Sequence, residues 1–83
     1  MSLSRRNPRR DANEFYLIEA ARGVGAEVFQ LSGKGLPDLL VRFHGRLVAG
    51  EVKSEKGKET KHQGRWPIWR TPEDVLRAIG AVQ

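Results

Sequence analysis

The sequence contains no cysteine. A disulfide framework, a thiolate zinc site such as a zinc finger or zinc ribbon, and a cysteine nucleophile are therefore excluded. It also lacks any apolar run approaching the roughly 18 residues that a membrane-spanning helix needs, and it lacks the apolar segment of a secretory signal peptide. We therefore expect a soluble, cytoplasmic protein with no signal peptide and no membrane contact.

The chain is short and carries an excess of positive charge. Its 83 residues allow one small domain, whose stability in isolation we expect to be marginal. Fifteen Lys and Arg residues against ten Asp and Glu residues give a formal net charge of +5. This balance weakly favours a polyanionic partner such as nucleic acid. A hydrophobic fraction of 39% is sufficient for a core and argues against wholesale disorder.

Part of the positive charge lies at the amino terminus. Residues 1–10 include Arg5, Arg6, Arg9 and Arg10 and almost no apolar side chain. This composition predicts a flexible basic arm, which either contacts a polyanion or is simply a solvated tail. The folded domain is predicted to occupy residues 11–83.

Periodicity and turn signals predict the order helix, three strands, loop, strand and helix. This order indicates an α/β or α+β fold around a small mixed sheet. The first helix is predicted over about 12–22, with Asp11 and Glu14 at the spacing of a capping box. The second is predicted to follow Thr71 and to end at Gly80. The strands are predicted over residues 26–31, 38–44, 46–53 and 67–70.

The residues that suggest chemistry lie on the predicted hairpin of the second and third strands. Gly45 and Arg46 fit a two-residue type II′ turn. That register places Asp38, Glu51 and Lys53 on one face, with the two carboxylates as diagonal neighbours. The opposite face is apolar and is predicted to be the core; it comprises Leu39, Val41, Phe43, Val48, Gly50 and Val52.

Two carboxylates so placed can hold one cation between them. Oxygen ligands without cysteine or clustered histidine favour Mg²⁺ or Mn²⁺. Such an ion lowers the pKa of a bound water and stabilises charge at phosphorus, and a neighbouring lysine can orient the water or balance that charge. Asp38, Glu51 and Lys53 therefore predict phosphodiester hydrolysis. The alternative is that all three are ordinary residues on a solvated strand face.

Two motifs carry a family resemblance. The segment Gly35-Leu36-Pro37-Asp38, followed by Glu51-Val52-Lys53, resembles the PD-(D/E)XK nuclease signature. Together with residues 10–14, 25–28 and 33–41, Gln63 and residues 70–76, it makes the chain similar to the VRR-NUC (virus-type replication-repair nuclease) domain in its stand-alone phage and bacterial form, over residues 10–82.

The resemblance implies a restriction-endonuclease-like core and a Mg²⁺- or Mn²⁺-dependent DNA endonuclease. The family often acts on branched DNA, such as Holliday junctions or flaps, in replication, repair and recombination. Asp38, Glu51 and the Val52 carbonyl would be metal ligands, and Lys53 would be the catalytic lysine. Glu14 matches the acid of the family's first helix, as a direct or water-mediated ligand; a purely structural capping role is the alternative.

Several further side chains are candidates for contact with DNA, although plain solvated residues remain the alternative. They are Lys34, Lys56, Lys58, Lys61, Gln63 and Arg65. The helix that the family usually has after the glutamine is predicted to be shortened here to a turn, so either one sheet face is exposed or a partner chain covers it. Trp66, Ile68 and Trp69 would then lie in the interface of a homodimer, or else pack in the core. A non-catalytic nucleic-acid-binding module, or a nuclease subunit active only with a partner, remain alternative functions.

Overall fold

A computed structural model of the chain describes residues 12–54 and 66–82. The elements are α1 (Glu14–Gly23), β1 (Glu27–Gln30), β2 (Leu39–Phe43), β3 (Arg46–Val52), β4 (Ile68–Trp69) and α2 (Pro72–Ile79). This α+β order confirms the sequence prediction. Every strand end lies within one residue of its predicted position. The predicted basic arm lies outside the described residues, as do Lys56, Lys58, Lys61, Gln63 and Arg65.

The four strands form one mixed sheet in the order β1-β2-β3-β4. The β1–β2 and β2–β3 pairs are antiparallel, whereas β3 and β4 are parallel. Parallel neighbours require a crossover connection, and the chain between β3 and β4 passes through residues outside the described ranges. Within those ranges, neither helix is long and apolar enough to cross a membrane.

Both helices pack against one face of the sheet. On β2, which lies between β1 and β3, Leu39 and Val41 are fully buried, whereas Arg42 points to the opposite face and is exposed. This is the alternation of side chains that a strand requires. The predicted core face is thereby confirmed, and burial of each large apolar side chain contributes about 1.5–3 kcal/mol. The core cluster comprises Leu17, Ile18, Ala21, Ala26, Val28, Leu39, Val41, Val52, Trp69, Val75 and Ile79.

The hairpin turn differs from the predicted one by one residue. Phe43 pairs with Arg46, so the turn residues are His44 and Gly45, with φ values of 52° and 81°. Two successive positive φ angles define a type I′ turn, whose twist matches that of the flanking strands. Histidine is among the residues that tolerate this conformation, and its ring stacks on Phe43 with centroids 4.0 Å apart.

This turn shifts the hairpin register by two residues from the predicted one. A shift of two leaves every side chain of the paired residues 39–43 and 46–50 on its predicted face, because alternation has a period of two. It does change the neighbours across the strands. Leu39 pairs with Gly50 as the last pair of the ladder, and the Asp38 N–H also donates to the Gly50 carbonyl, so Asp38 stands beyond the regular register. The diagonal relationship predicted for Asp38 and Glu51 therefore stays a prediction.

The start of α2 agrees with the predicted one, and the start of α1 does not. α2 begins as predicted: the Thr71 side chain accepts a hydrogen bond from the Asp74 N–H, and Gly80 ends the helix with φ of 84°. The predicted capping box of α1 is wrong, because Asn13 occupies the N-cap position and the helix begins at Glu14. The Asn13 side chain makes no cap hydrogen bond.

Trp69 belongs to the core. It is 2% exposed, and its ring lies over Gly50, where an added Cβ would be 2.4 Å from the nearest ring atom. The prediction that Trp69 lies in a homodimer interface is therefore wrong, and the alternative that it packs in the core is confirmed. Trp66 and Ile68 are half-buried.

Candidate functional site

The chain leaves the β2–β3 ladder at Asp38. Its N–H donates to the Gly50 carbonyl at 3.1 Å, and its own carbonyl accepts from the Leu31 N–H at 2.9 Å. Its carboxylate Oδ2 accepts the Val52 N–H at 2.8 Å. A side-chain oxygen thus occupies the place where the ladder would otherwise continue with a main-chain carbonyl. Pro37 explains why the ladder stops here, because proline has no N–H to donate to the next pair.

This contact brings Asp38 to the Glu51-Val52-Lys53 segment. The nitrogen that Asp38 binds belongs to the peptide bond linking Glu51 to Val52. Glu51 and Lys53 alternate with the buried Val52, so they project from the same face, and both are half-buried. The structure therefore gathers the three residues that the sequence predicted as catalytic.

Neighbouring strands fix the far side of this segment. The Glu51 N–H donates to the Pro67 carbonyl at 2.7 Å, and the Lys53 N–H donates to the Trp69 carbonyl at 3.1 Å. β3 is thus held between Asp38 on one side and β4 on the other. Side chains that leave such a doubly paired strand start from well-determined positions, which a reaction centre requires.

The donor atoms here fit a hard divalent cation. Asp38 and Glu51 supply carboxylate oxygens, and the N–H and C=O of a strand residue point to the same side, so the Val52 carbonyl also faces the Asp38 side of β3. Carboxylate and carbonyl oxygens are the ligands that Mg²⁺ and Mn²⁺ prefer. Among residues 12–54 and 66–82, however, no group of three or more His, Asp or Glu side chains is arranged to hold an ion.

Glu14 is buried at the start of α1, with 4% of its surface exposed. Its Oε2 accepts a hydrogen bond from Gln30 Nε2 at 2.9 Å. Gln30 ends β1 opposite Leu39, on the helix-covered face of the sheet, whereas Glu51 lies on the other face. A buried carboxylate needs such a partner. A role for Glu14 in metal binding stays a prediction.

Lys34 lies in the loop that joins β1 to β2 and leads to Asp38. Gly33 and Gly35 on either side of it have φ values of 155° and 82°, which other residues rarely adopt. The Trp66 indole Nε1 donates to the Gly35 carbonyl at 3.3 Å and ties this loop to the residues before β4. Lys34 itself is exposed, so its ammonium is accessible to a phosphate.

Asn13 is a residue of this region that sequence reasoning missed. Its Nδ2 donates to the carbonyls of both Lys53 and Arg70, each at 2.9 Å. An asparagine just before a helix is typical of an N-cap, and nothing in the local sequence indicates that its side chain contacts two strands.

No family model matches the chain, and neither do any curated proteins or solved structures.

Proposed function

We propose that the chain is a Mg²⁺- or Mn²⁺-dependent DNA endonuclease with a restriction-endonuclease-like core, related to the VRR-NUC nucleases that its motifs resemble. The observation that carries the proposal is the hydrogen bond from the Val52 N–H to the Asp38 carboxylate, beside Glu51 and Lys53. This contact joins the two halves of the motif, which the sequence separates by the whole hairpin. The proposed substrates are branched DNA molecules, such as Holliday junctions or flaps, in replication, repair or recombination in a bacterial or phage-infected cell.

Each residue has a distinct proposed role. Asp38, Glu51 and the Val52 carbonyl would hold the ion, which when bound lowers the pKa of a water and balances charge on the phosphate. The Lys53 ammonium carries a positive charge on the same face as Glu51. It would orient the attacking water and offset the negative charge that develops on the phosphate oxygens.

The exposed Lys34 would contact the DNA backbone outside the reaction centre. Phosphate contacts of this kind position a duplex without reading its sequence. The net charge of +5 supports such binding and predicts that affinity falls as salt rises.

The direct test is cleavage of labelled DNA. A four-way junction, a flap and a plain duplex are incubated with the protein in Mg²⁺, Mn²⁺ or EDTA. We expect cutting in a metal ion and none in EDTA. Lys53→Ala is expected to bind DNA normally and to cut about 100-fold more slowly or worse. Arg46→Ala is the matched control, because it removes one positive charge from the exposed far end of the same strand.

A second candidate is a nucleic-acid-binding module without catalytic activity. The observation that favours it is the lack, in the described part of the chain, of a third acidic or histidine side chain grouped with Asp38 and Glu51. DNA binding with no cutting in either metal ion would support this candidate against the nuclease.

A nuclease that needs a partner is distinguished by its assembly state. Symmetric nicks in a junction require two symmetric sites, which a homodimer supplies. Sedimentation of the protein with and without a junction tests this directly. Paired incision by a protein that stays monomeric would contradict the homodimer.

A further inference from the structure

Three hydrogen bonds hold the main chain around Lys53, two with consecutive residues at the end of β4 and one with the residue before α1. The Lys53 N–H donates to the Trp69 carbonyl at 3.1 Å, and the Lys53 carbonyl accepts from Asn13 Nδ2 at 2.9 Å. The carbonyl of the next residue, Ser54, accepts from Arg70 Nη1 at 2.7 Å. The point at which the Lys53 side chain leaves the strand is therefore fixed on both sides of its Cα.

Asn13 joins the ends of two parallel strands. Its side-chain amide has two N–H donors, one of which binds the Lys53 carbonyl after β3 and the other the Arg70 carbonyl after β4. The two acceptors are 40 and 57 residues away along the chain.

The orientation that lets the Asn13 amide nitrogen bind both carbonyls leaves its amide oxygen without a hydrogen bond among the described residues. Asn13 Oδ1 is buried and has no hydrogen-bond partner among the described residues, and the side chain does not cap α1 although it stands at the N-cap. Burying an acceptor without a partner is unfavourable. The two donor contacts therefore outweigh both the unsatisfied oxygen and the cap that the side chain forgoes.

We infer that Asn13 is a positioning residue for Lys53: it fixes the Lys53 main chain against β4 and α1, and so determines where the lysine ammonium stands relative to Asp38 and Glu51. Its consequence for DNA cutting rests on the proposed nuclease function. The fixing of the main chain does not, and the two can be measured separately.

The first measurement is amide hydrogen exchange in Asn13→Ser and Asn13→Asp. Serine remains a good N-cap residue but is too short to reach both carbonyls, and aspartate keeps the shape but has no donors. We expect the Lys53 N–H to exchange about tenfold faster in both variants, because a local opening of the strand end needs less free energy once the two hydrogen bonds from Asn13 are lost. The Val41 N–H, in the centre of β2, should be unchanged.

Two outcomes of this measurement overturn the inference. Unchanged exchange at Lys53 means that Asn13 does not fix it. Equal acceleration at Lys53 and Val41 means that Asn13 supports only global stability.

The second measurement separates positioning from stability through cutting rates. Asn13→Ser is expected to slow single-turnover cutting about tenfold with an unchanged Kd for DNA, and to cause no further loss in a Lys53→Ala background, because both changes remove the same contribution. Losses that multiply in the double variant would overturn the inference. Val28→Ala, a buried β1 position at the opposite edge of the sheet, is the stability control and should cut at the wild-type rate when folded.

A wild-type protein that cuts no DNA would defeat the proposed nuclease but not the inference about Lys53. In that case the exchange rates alone decide whether Asn13 holds this strand end.

Discussion

The carboxylate of Asp38 accepts the main-chain N–H of Val52 at 2.8 Å and takes the place of a ladder carbonyl. The same group that we propose as a metal ligand therefore also ends the pairing of β2 with β3. Structural and chemical roles of this carboxylate can be separated, because an amide oxygen can accept the hydrogen bond but is a weaker ligand for a hard cation.

Asp38→Asn is expected to keep the fold and lose the metal. Its side-chain oxygen still accepts the Val52 N–H, so the melting midpoint without metal should stay within about 4 °C of the wild type. Asp38→Ala leaves that N–H without its acceptor and should cost about 1–3 kcal/mol of unfolding free energy. Thermal unfolding in EDTA measures both. A midpoint for the asparagine variant as low as that of the alanine variant would contradict the acceptor role.

Mn²⁺ is expected to stabilise the wild-type fold and to do so less in Glu51→Gln. A ligand that binds only the native state at 100 times its Kd adds about 2.7 kcal/mol. Glu27→Gln is the matched control, since Glu27 is an exposed β1 acid paired with Arg42. The checking measurement is the melting midpoint against Mn²⁺ concentration. A wild-type midpoint that does not respond to the ion, or equal responses in the two variants, would count against Glu51 as a ligand.

Gly50→Ala is expected to destabilise the protein by about 1–3 kcal/mol, through overpacking against a buried ring. The new Cβ would lie 2.4–2.6 Å from three atoms of the Trp69 ring, which is itself only 2% exposed. Gly23→Ala, at the end of α1, meets nothing within 4 Å and should be neutral or slightly stabilising. Urea unfolding of both variants tests the difference, and similar midpoints would refute the packing argument.

Thr71→Ala is expected to cost about 0.5–2 kcal/mol, because it removes the side-chain acceptor of the Asp74 N–H at the start of α2 and leaves only the Thr71 carbonyl. Thr71→Ser retains the hydroxyl and should remain close to the wild type. Asp74→Ala should cost more than Thr71→Ala, since the Asp74 Oδ2 accepts the N–H groups of both Arg70 and Thr71. Urea unfolding ranks the three variants, and the reverse order for the two alanine variants would show that the capping box is not what holds this helix start.

Prediction from sequence succeeded where the signals are local. α2 is specified by its own residues: a threonine cap, acids in the first turn and a glycine at the end, so its bounds were predicted correctly. The hairpin was predicted with its turn one residue too late, because Gly45 fits the first position of one turn type and the second position of another. The core face was nevertheless correct, since a register shift of two preserves alternation.

Prediction failed where a side chain contacts residues that are distant along the chain. Asp11 and Glu14 have the spacing of a cap, yet Glu14 is buried against Gln30 and Asn13 stands at the helix start. Spacing along the chain carries no information about partners on other strands, so these contacts could not be predicted from it.

The sequence by itself determined the α+β element order, the apolar face of the hairpin and the presence of two acids and a lysine near the strand ends. Only the tertiary structure decided that the Asp38 carboxylate enters the ladder at Val52, and that Asn13 binds the carbonyls beyond β3 and β4. The physical reason is range. Periodicity, caps and turns are set by residues a few positions apart, whereas these hydrogen bonds span 14, 40 and 57 positions and form only once the sheet and helices have packed together.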